Sequence, residues 1–356
     1  MPDQPEIAHQ KHTARDPHFR KLLIFISALT MIRIFLLLIS DLNIGPDEGQ
    51  YWWWSLTPDF GYFSKPPMIA WLIGATTSLF GHAEWAVRLG SPLVSALTTI
   101  MIFLTARKLY DSTIALWAAV LWSTLPVILL SAGIISTDVP LLFFWAAALF
   151  GFVSLVQTQD HPYRWAVFTG AMIGLGMLSK YAMIYFPLAI ALSFALSDYA
   201  RRAMKALPLT IMAVVALIVF TPNILWNAAN EFQTLNHTQA NANLKGELFN
   251  LDELVEYLIS QLGVVGPILF ALLIWGIIRL PNRLDGAGEA RGRDLLLLSF
   301  TLPPLGIICL QAFLSRANAN WAMTAYPAGV MLLTVWMHRA GLHRWMKISV
   351  GLHVAI

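Results

Sequence analysis

A chain of 356 residues that is 57% hydrophobic and only 12% charged is not a soluble domain, which would carry about 25% charged residues. The net charge of +3 is spread over short connections, so it is a topology signal and not a nucleic-acid footprint. The single cysteine, Cys309, excludes an intrachain disulfide and a thiolate metal cluster. This composition describes an all-α polytopic membrane protein.

Residues 1–21 are polar and read as a cytoplasmic tail. The apolar stretch 22–40 follows with no small-residue cleavage site, so it reads as an uncleaved anchor. A spanning helix needs roughly 20 apolar residues. The further candidates are 86–106, 112–132, 139–157, 165–179, 181–197, 206–225, 257–278, 295–314 and 320–337. The segments 165–179 and 181–197 are short enough to form a half-helix pair. Segment 66–80 is apolar but opens on Pro66 and Pro67, so it reads as a helix lying along the interface or re-entering. The last stretch, 345–356, is too short to cross and reads as the start of a further helix, which leaves 22–344 as the transmembrane domain. Arg33 lies inside the first span. A charge at that depth costs about 2.5–3.5 kcal/mol on insertion scales, so Arg33 should face the bundle interior or a wet cavity.

The basic residues sort by connection. Lys11, Arg15, Arg20 and Lys21 lead, then Arg107 and Lys108, Arg164, then Arg201, Arg202 and Lys205. Arg279, Arg283, Arg291 and Arg293 follow, then Arg339, Arg344 and Lys347. The positive-inside rule puts these connections and the N-terminus in the cytoplasm. The loops at 41–85, 133–138, 180, 226–256 and 315–319 then face outward, to the periplasm if the membrane is a bacterial inner membrane. Of the sparse basic residues outside, which include Lys245, Lys65, Lys180 and Arg316 sit on different loops at similar depth, as do the acids Asp47, Glu48 and Asp138. These groups could converge on one external site.

Asp47 and Glu48 open the first outward loop. Pro46 suits the first turn of a helix, and acids there complement its dipole. Two solvated acids at a plain helix start are the alternative. Adjacent helical residues point in different directions, so Asp47 and Glu48 are not a matched acid–base couple. One can accept a proton from an attacking hydroxyl while the other supports it. The run Tyr51 to Trp54 reads as an aromatic belt that pins this helix at headgroup level. In Tyr62-Phe-Ser-Lys-Pro-Pro67, Lys65 is either a snorkelling cation or a point charge aimed at a phosphate.

Asp138, just before a span, is an N-cap or a second acid for substrate hydroxyls or a metal. Lys180 and Tyr181 separate two apolar segments, either as a charged turn or with Lys180 holding an anion. His237, in an asparagine-rich loop, is a candidate for a metal or a phosphate. Arg316 and Asn320 precede the last full span. No phosphate loop or zinc motif occurs.

In this order and topology, the acidic pair Asp47–Glu48, the segment Tyr62 to Pro67 and Asp138–Pro140 resemble the GT-C integral-membrane glycosyltransferases. The resemblance is nearest to the bacterial lipid A aminoarabinose and galacturonic acid transferases, with protein O-mannosyltransferases more distant. It covers residues 22 to 340 or so. It implies a GT-C helical bundle with interfacial helices in the first external loop. It implies a polyprenyl-phosphate sugar donor and inverting transfer at the external face. The acceptor class stays open between lipid A, core oligosaccharide, a polysaccharide and a protein. Asp47 would be the catalytic acid residue and Lys65 a ligand of the donor phosphate, with Glu48 beside them. Tyr62, Asp138, Lys180, Tyr181, His237, Arg316 and Asn320 complete the candidate substrate contacts.

The aminoarabinose transferase carries a metal-site glutamate before its Lys-Pro-Pro; here that position is Ser64, which weakens the case for a divalent metal. The rival reading is a lipid-linked-sugar transporter or flippase, which Arg33 and the short segments would suit. Neither the acidic pair nor the Lys-Pro-Pro motif repeats, and the polar groups gather outside rather than at mid-membrane, which favours an enzyme.

Overall fold

Apolar runs without an internal break fold as single helices, because in lipid every backbone amide must be satisfied within its own segment. The computed structural model describes residues 16–158, 160–243, 249–278 and 288–355, and among the described residues there is no strand. The tail residues 1–15, and Lys245, Arg279 and Arg283 of the charge map, lie outside the described residues.

α1 (Pro17–Ile39) starts at Asp16, whose carboxylate accepts from the His18 amide at 2.9 Å. The first outward loop holds α2 (Pro46–Ser55), α3 (Met68–Phe80) and α4 (Glu84–Arg88), and α4 runs on into α5 (Gly90–Leu109). Then come α6 (Ser112–Thr124), α7 (Pro126–Ser131), α8 (Asp138–Gln157) and α9 (Pro162–Ser179). A 3₁₀ turn, Tyr181–Ile184, leads into α10 (Tyr185–Leu196), and another, Ala200–Ala203, precedes α11 (Ala206–Ala229). α12 (Gln233–Asn241), α13 (Leu251–Val265), α14 (Pro267–Ile278) and α15 (Glu289–Leu314) follow. A third 3₁₀ turn, Ala319–Ala325, enters α16 (Tyr326–Arg339), and α17 (His343–Ala355) ends the described chain.

α1, α4–α5, α8, α11 and α15 are each long and apolar enough to cross a membrane. The protein is a multi-pass membrane protein. α3, at 13 residues, is about 20 Å long, too short for a hydrocarbon core of about 30 Å.

Two of the expected spans are broken in the structure. The run 112–132 divides at Leu125, whose ψ of 138° leaves the helix, because Pro126 disfavours helical geometry in the residue before it. The run 257–278 divides at Gly266, with φ +84°, just before Pro267. A hydropathy window reads through both breaks. Arg33 faces the interior, as a charge inside a span must. It is buried, and its Nη2 donates at 3.0 Å to the Ser123 carbonyl at the broken end of α6.

α8 is the most enclosed span, and the aromatic core gathers on it. Trp145 meets Phe186 edge-on at 5.0 Å, and Phe186 meets Phe300 at 4.9 Å. α9 and α11 touch through small residues: a Cβ on Gly170 would lie 2.4 Å from the Met212 carbonyl, and one on Gly174 2.6 Å from Val219. The bundle has two polar ends. At one, Arg293 Nη1 donates to Leu109 O at 2.8 Å, Gln157 to Lys108 O at 2.8 Å, and Arg339 pairs with buried Asp294. The other end carries α2, α12 and the starts of α8 and the Ala319–Ala325 turn.

Gly266 needs its hydrogen twice over: its φ is positive, and a Cβ would sit 2.2 Å from His353 Nε2 on α17. Gly266→Ala is therefore expected to destabilise the protein by about 1–3 kcal/mol, read as a lower melting temperature in detergent.

Candidate active site

The start of α2 decides where its two acids go. Glu48 is buried and saturated with donors. Arg88 Nε gives to its Oε1 at 2.9 Å and Arg88 Nη2 to its Oε2 at 2.7 Å. The Gly45 amide closes a capping contact to Oε2 at 2.8 Å, and the Ile135 amide reaches Oε1 at 2.9 Å. Burial pushes the Glu48 carboxyl up, but Arg88 and the two amides outweigh it and hold it below the ordinary glutamate value. Arg88, also buried, uses its remaining donors on Leu42 O at 2.8 Å and Asn43 O at 2.9 Å. Glu48 is thus no proton acceptor for a substrate, which corrects its expected place among the catalytic groups to a supporting one. Asp47, one residue back and turned about 100° around the helix, is exposed, with no side-chain partner among the described residues.

Asp138 opens α8 and is buried. Its Oδ1 accepts from Lys180 Nζ at 2.7 Å and its Oδ2 from Asn320 Nδ2 at 2.7 Å. Lys180 is the extended residue between α9 and the Tyr181–Ile184 turn, with φ −162° and ψ 138°. Three chain-distant polar residues thus meet; of the six charged groups that the charge map brought together, Asp138 and Lys180 are in direct contact.

Lys65 stands half-buried beside this cluster, and its ammonium has no hydrogen-bonded partner among the described residues. Burial and then the charge of Lys180 push it below its ordinary 10.5, while Asp47 and Asp138 pull it back up. Tyr51, one helical turn after Asp47, is buried; burial first, then Asp47 and Asp138, raise its phenol. His237 is lowered below its ordinary 6.5 by burial and by Lys65, so it is neutral at pH 7. Its ring meets Phe63 edge-on at 5.2 Å, and Asn241 Nδ2 lies 3.2 Å from its Nδ1.

The remaining expected contacts stand differently. The Tyr62 hydroxyl is enclosed: it takes the Asp59 amide at 3.0 Å and faces the Trp54 and Thr57 carbonyls at 3.1 Å, while its ring stacks on Trp54 at 4.9 Å. The Tyr181 hydroxyl donates to Asn223 Oδ1 at 2.9 Å and accepts from Asn227 Nδ2 at 3.1 Å. These two tyrosines brace the loop that carries Lys65, and their hydroxyls are occupied by the protein. The same brace includes Asn223 Nδ2 to Phe60 O at 2.6 Å, Trp226 Nε1 to Asp59 Oδ2 at 2.8 Å and Thr234 to Tyr62 O at 2.6 Å. Arg316 is exposed and outside the Asp138 cluster, with no side-chain partner among the described residues.

Sequence reasoning missed Arg88, Asn223 and Asn227, and it read Tyr51 only as belt. The four-residue spacing of Asp47 and Tyr51 was the available signal. Ser64 is buried, and among the described residues no three His, Cys, Asp or Glu side chains gather as metal ligands.

Residues 64–226 match the family description dolichyl-phosphate-mannose-protein mannosyltransferase. The lipid A galacturonosyltransferase RgtD of Rhizobium johnstonii is 36% identical over 93% of this chain and 68% of its own length. The chain belongs to the GT-C family of membrane glycosyltransferases. An undecaprenyl phosphate-alpha-4-amino-4-deoxy-L-arabinose arabinosyl transferase of Pseudomonas fluorescens is 30% identical over 40% of this chain and 27% of its own. The crystal structure of ArnT from Cupriavidus metallidurans bound to undecaprenyl phosphate superposes with a TM-score of 0.68 at 19% identity, covering 94% of this chain and 63% of that one. The GT-C fold is therefore shared, and this chain spans about two thirds of the length of RgtD and somewhat less of ArnT.

Removing one partner of a buried, hydrogen-bonded ion pair leaves the other charge stranded. Arg88→Ala is expected to cost about 3–5 kcal/mol and to abolish sugar transfer. Because the Glu48 carboxyl is depressed, the stability it contributes is present above pH 4.5 and lost as pH falls through its folded value. Acid melting curves of wild type and Glu48→Gln should converge below that point.

Proposed function

We propose that this membrane glycosyltransferase takes its sugar from a polyprenyl-phosphate donor and transfers it, with inversion, to an envelope acceptor at the face carrying α2. The observation that carries this reading is Asp47, held exposed by the Glu48–Arg88 lock, with the Lys65 ammonium in electrostatic reach of it. The acceptor hydroxyl loses its proton to Asp47 as its oxygen attacks the anomeric carbon. The bond from that carbon to the phosphate oxygen breaks, and its electron pair stays on the lipid phosphate. Lys65 stabilises that developing anion as a point charge. Lys180 is held by Asp138 and acts through the field it adds at Lys65. Asp138 and Asn320 set the other wall, where sugar or acceptor hydroxyls can bond.

The acceptor to test first is lipid A, the substrate class in the name of the Rhizobium relative. The basic residues at the opposite end of the bundle support a cytoplasmic location for that end, so α2 faces the periplasm of a bacterial inner membrane. The grouping of Asp47, Asp138, Lys65 and Lys180 at one end of the bundle supports chemistry rather than passage, which a flippase would need along its whole depth.

The reading is tested with purified protein, a polyprenyl-phosphate sugar and lipid A. Asp47→Asn is expected to lower kcat by roughly 10²–10⁴-fold, and full activity in that variant would falsify the assignment. Lys65→Ala is expected to raise the donor KM by about 10–100-fold. The pH profile adds a separate check. With its ammonium depressed, Lys65 loses its proton below pH 10.5, so kcat/KM for the donor falls on the alkaline side earlier than for an ordinary lysine. Lys65→Arg, charged throughout, should flatten that limb.

A further inference from the structure

The 3₁₀ turn Ala319–Ala325 carries Asn320 to the Asp138 carboxylate. Such a turn is held by i→i+3 bonds of poorer geometry than those of an α-helix, and residues 316–318 ahead of it have no regular structure. Its own first bond runs from the Trp321 amide to Asn318 O at 3.0 Å. Local structure thus does little to fix where Asn320 points.

α13 supplies the constraint. Tyr257, Gln261 and Val264 recur along its buried face, and Gln261 is fully enclosed. An amide there must be bonded, because water does not reach it. Its Nε2 donates to Ala319 O at 3.1 Å. Nε2 also lies 3.2 Å from Ser260 Oγ and 3.3 Å from Tyr257 O, within α13 itself. Its Oε1 accepts from the Tyr326 hydroxyl. Ala319 opens the turn and Tyr326 follows its last residue, so one side chain grips both ends. The grip on Ala319 matters more for the site. Ala319 O and the Asn320 nitrogen belong to one planar peptide unit, so fixing that carbonyl orients the plane from which Asn320 departs. Tyr257, one helical turn earlier, contributes packing instead: it shares an apolar cluster with Ala322, Ile308 and Ala312, and its hydroxyl has no partner among the described residues.

We infer that Gln261 is a positioning residue for sugar transfer: it holds the peptide plane ahead of Asn320 so that the Asn320 amide stays on Asp138. Gln261 is not bonded to Asp47, Lys65 or Asp138, and it acts through Asn320. This role rests on the proposed place of Asp138 and Asn320 in the wall of the site.

A double-mutant cycle on the full chain tests it, with kcat/KM read for transfer from a polyprenyl-phosphate sugar to lipid A and melting temperature read in parallel. Gln261→Leu is expected to lower kcat/KM roughly tenfold in the wild-type background, and less than about twofold once Asn320→Ala is present. Its melting-temperature cost should be the same in both backgrounds, because the bonds to Ala319 O and Tyr326 do not use the Asn320 side chain. If Gln261→Leu does not fold, Gln261→Asn, one methylene shorter, carries the same cycle. An equal fall in both backgrounds, or none in the wild type, overturns the inference and leaves Gln261 a structural residue, with the wall itself intact. Full activity in Asn320→Ala is a different failure: it removes Asn320 from the wall, and the role of Gln261 with it.

Discussion

The buried pair of Glu48 and Arg88 is the contact on which the site rests. Burying two charges costs several kcal/mol each, and that cost is offset only when every lone pair and proton finds a partner. Here the partners come from four places: the 42–45 segment, α2, α4 and the Ile135 amide ahead of α8. One ion pair thus joins the segment that carries Asp47 to the segment that carries Asp138. It also fixes the rotation of α2. With Glu48 pinned inward, geometry leaves Asp47 facing out, a carboxylate with no side-chain partner among the described residues.

The lysines divide the remaining electrostatic work. Lys180 is neutralised by Asp138, which Asn320 holds from the other side. Lys65 is left with no such partner and with a second ammonium nearby. That is an unfavourable resting state for a cation, which an anion beside it would relieve. The loop that presents Lys65 is not free to follow it. Tyr62, Asp59 and Phe60 are tied to Trp54, Asn223, Trp226 and Thr234, so the loop is braced on both sides of the ammonium.

Breaks in the spans serve the same arrangement. Pro126 ends α6 early, and the buried carbonyl of Ser123 at that end receives Arg33, which gives the charge in the first span an acceptor inside the bundle. Gly266 and Pro267 bend the α13–α14 run where His353 approaches. Both breaks lie within stretches that carry no charged residue, which is why hydropathy alone reads each as one helix.

Much of the plan was legible in the residues. Composition and length alone require a helical membrane bundle, because only helices satisfy their own backbone in lipid at this apolar content. The basic connections mark one end, and the order of Asp47, Lys65 and Asp138 marks the other and carries the family resemblance. The sequence also separated Asp47 from Glu48, since neighbours on a helix cannot share a direction. It could not say which of the two is left unpaired: that depended on Arg88, forty residues away, reaching one carboxylate and not the other. Nor could it say that the Tyr62 and Tyr181 hydroxyls are occupied, that Arg316 stays apart, or that Asp138 meets Lys180 and Asn320. Those outcomes are contacts between segments far apart in the chain. Local pattern sets helix and polarity, but only tertiary packing decides which polar atoms are used up inside the protein and which are left for a ligand.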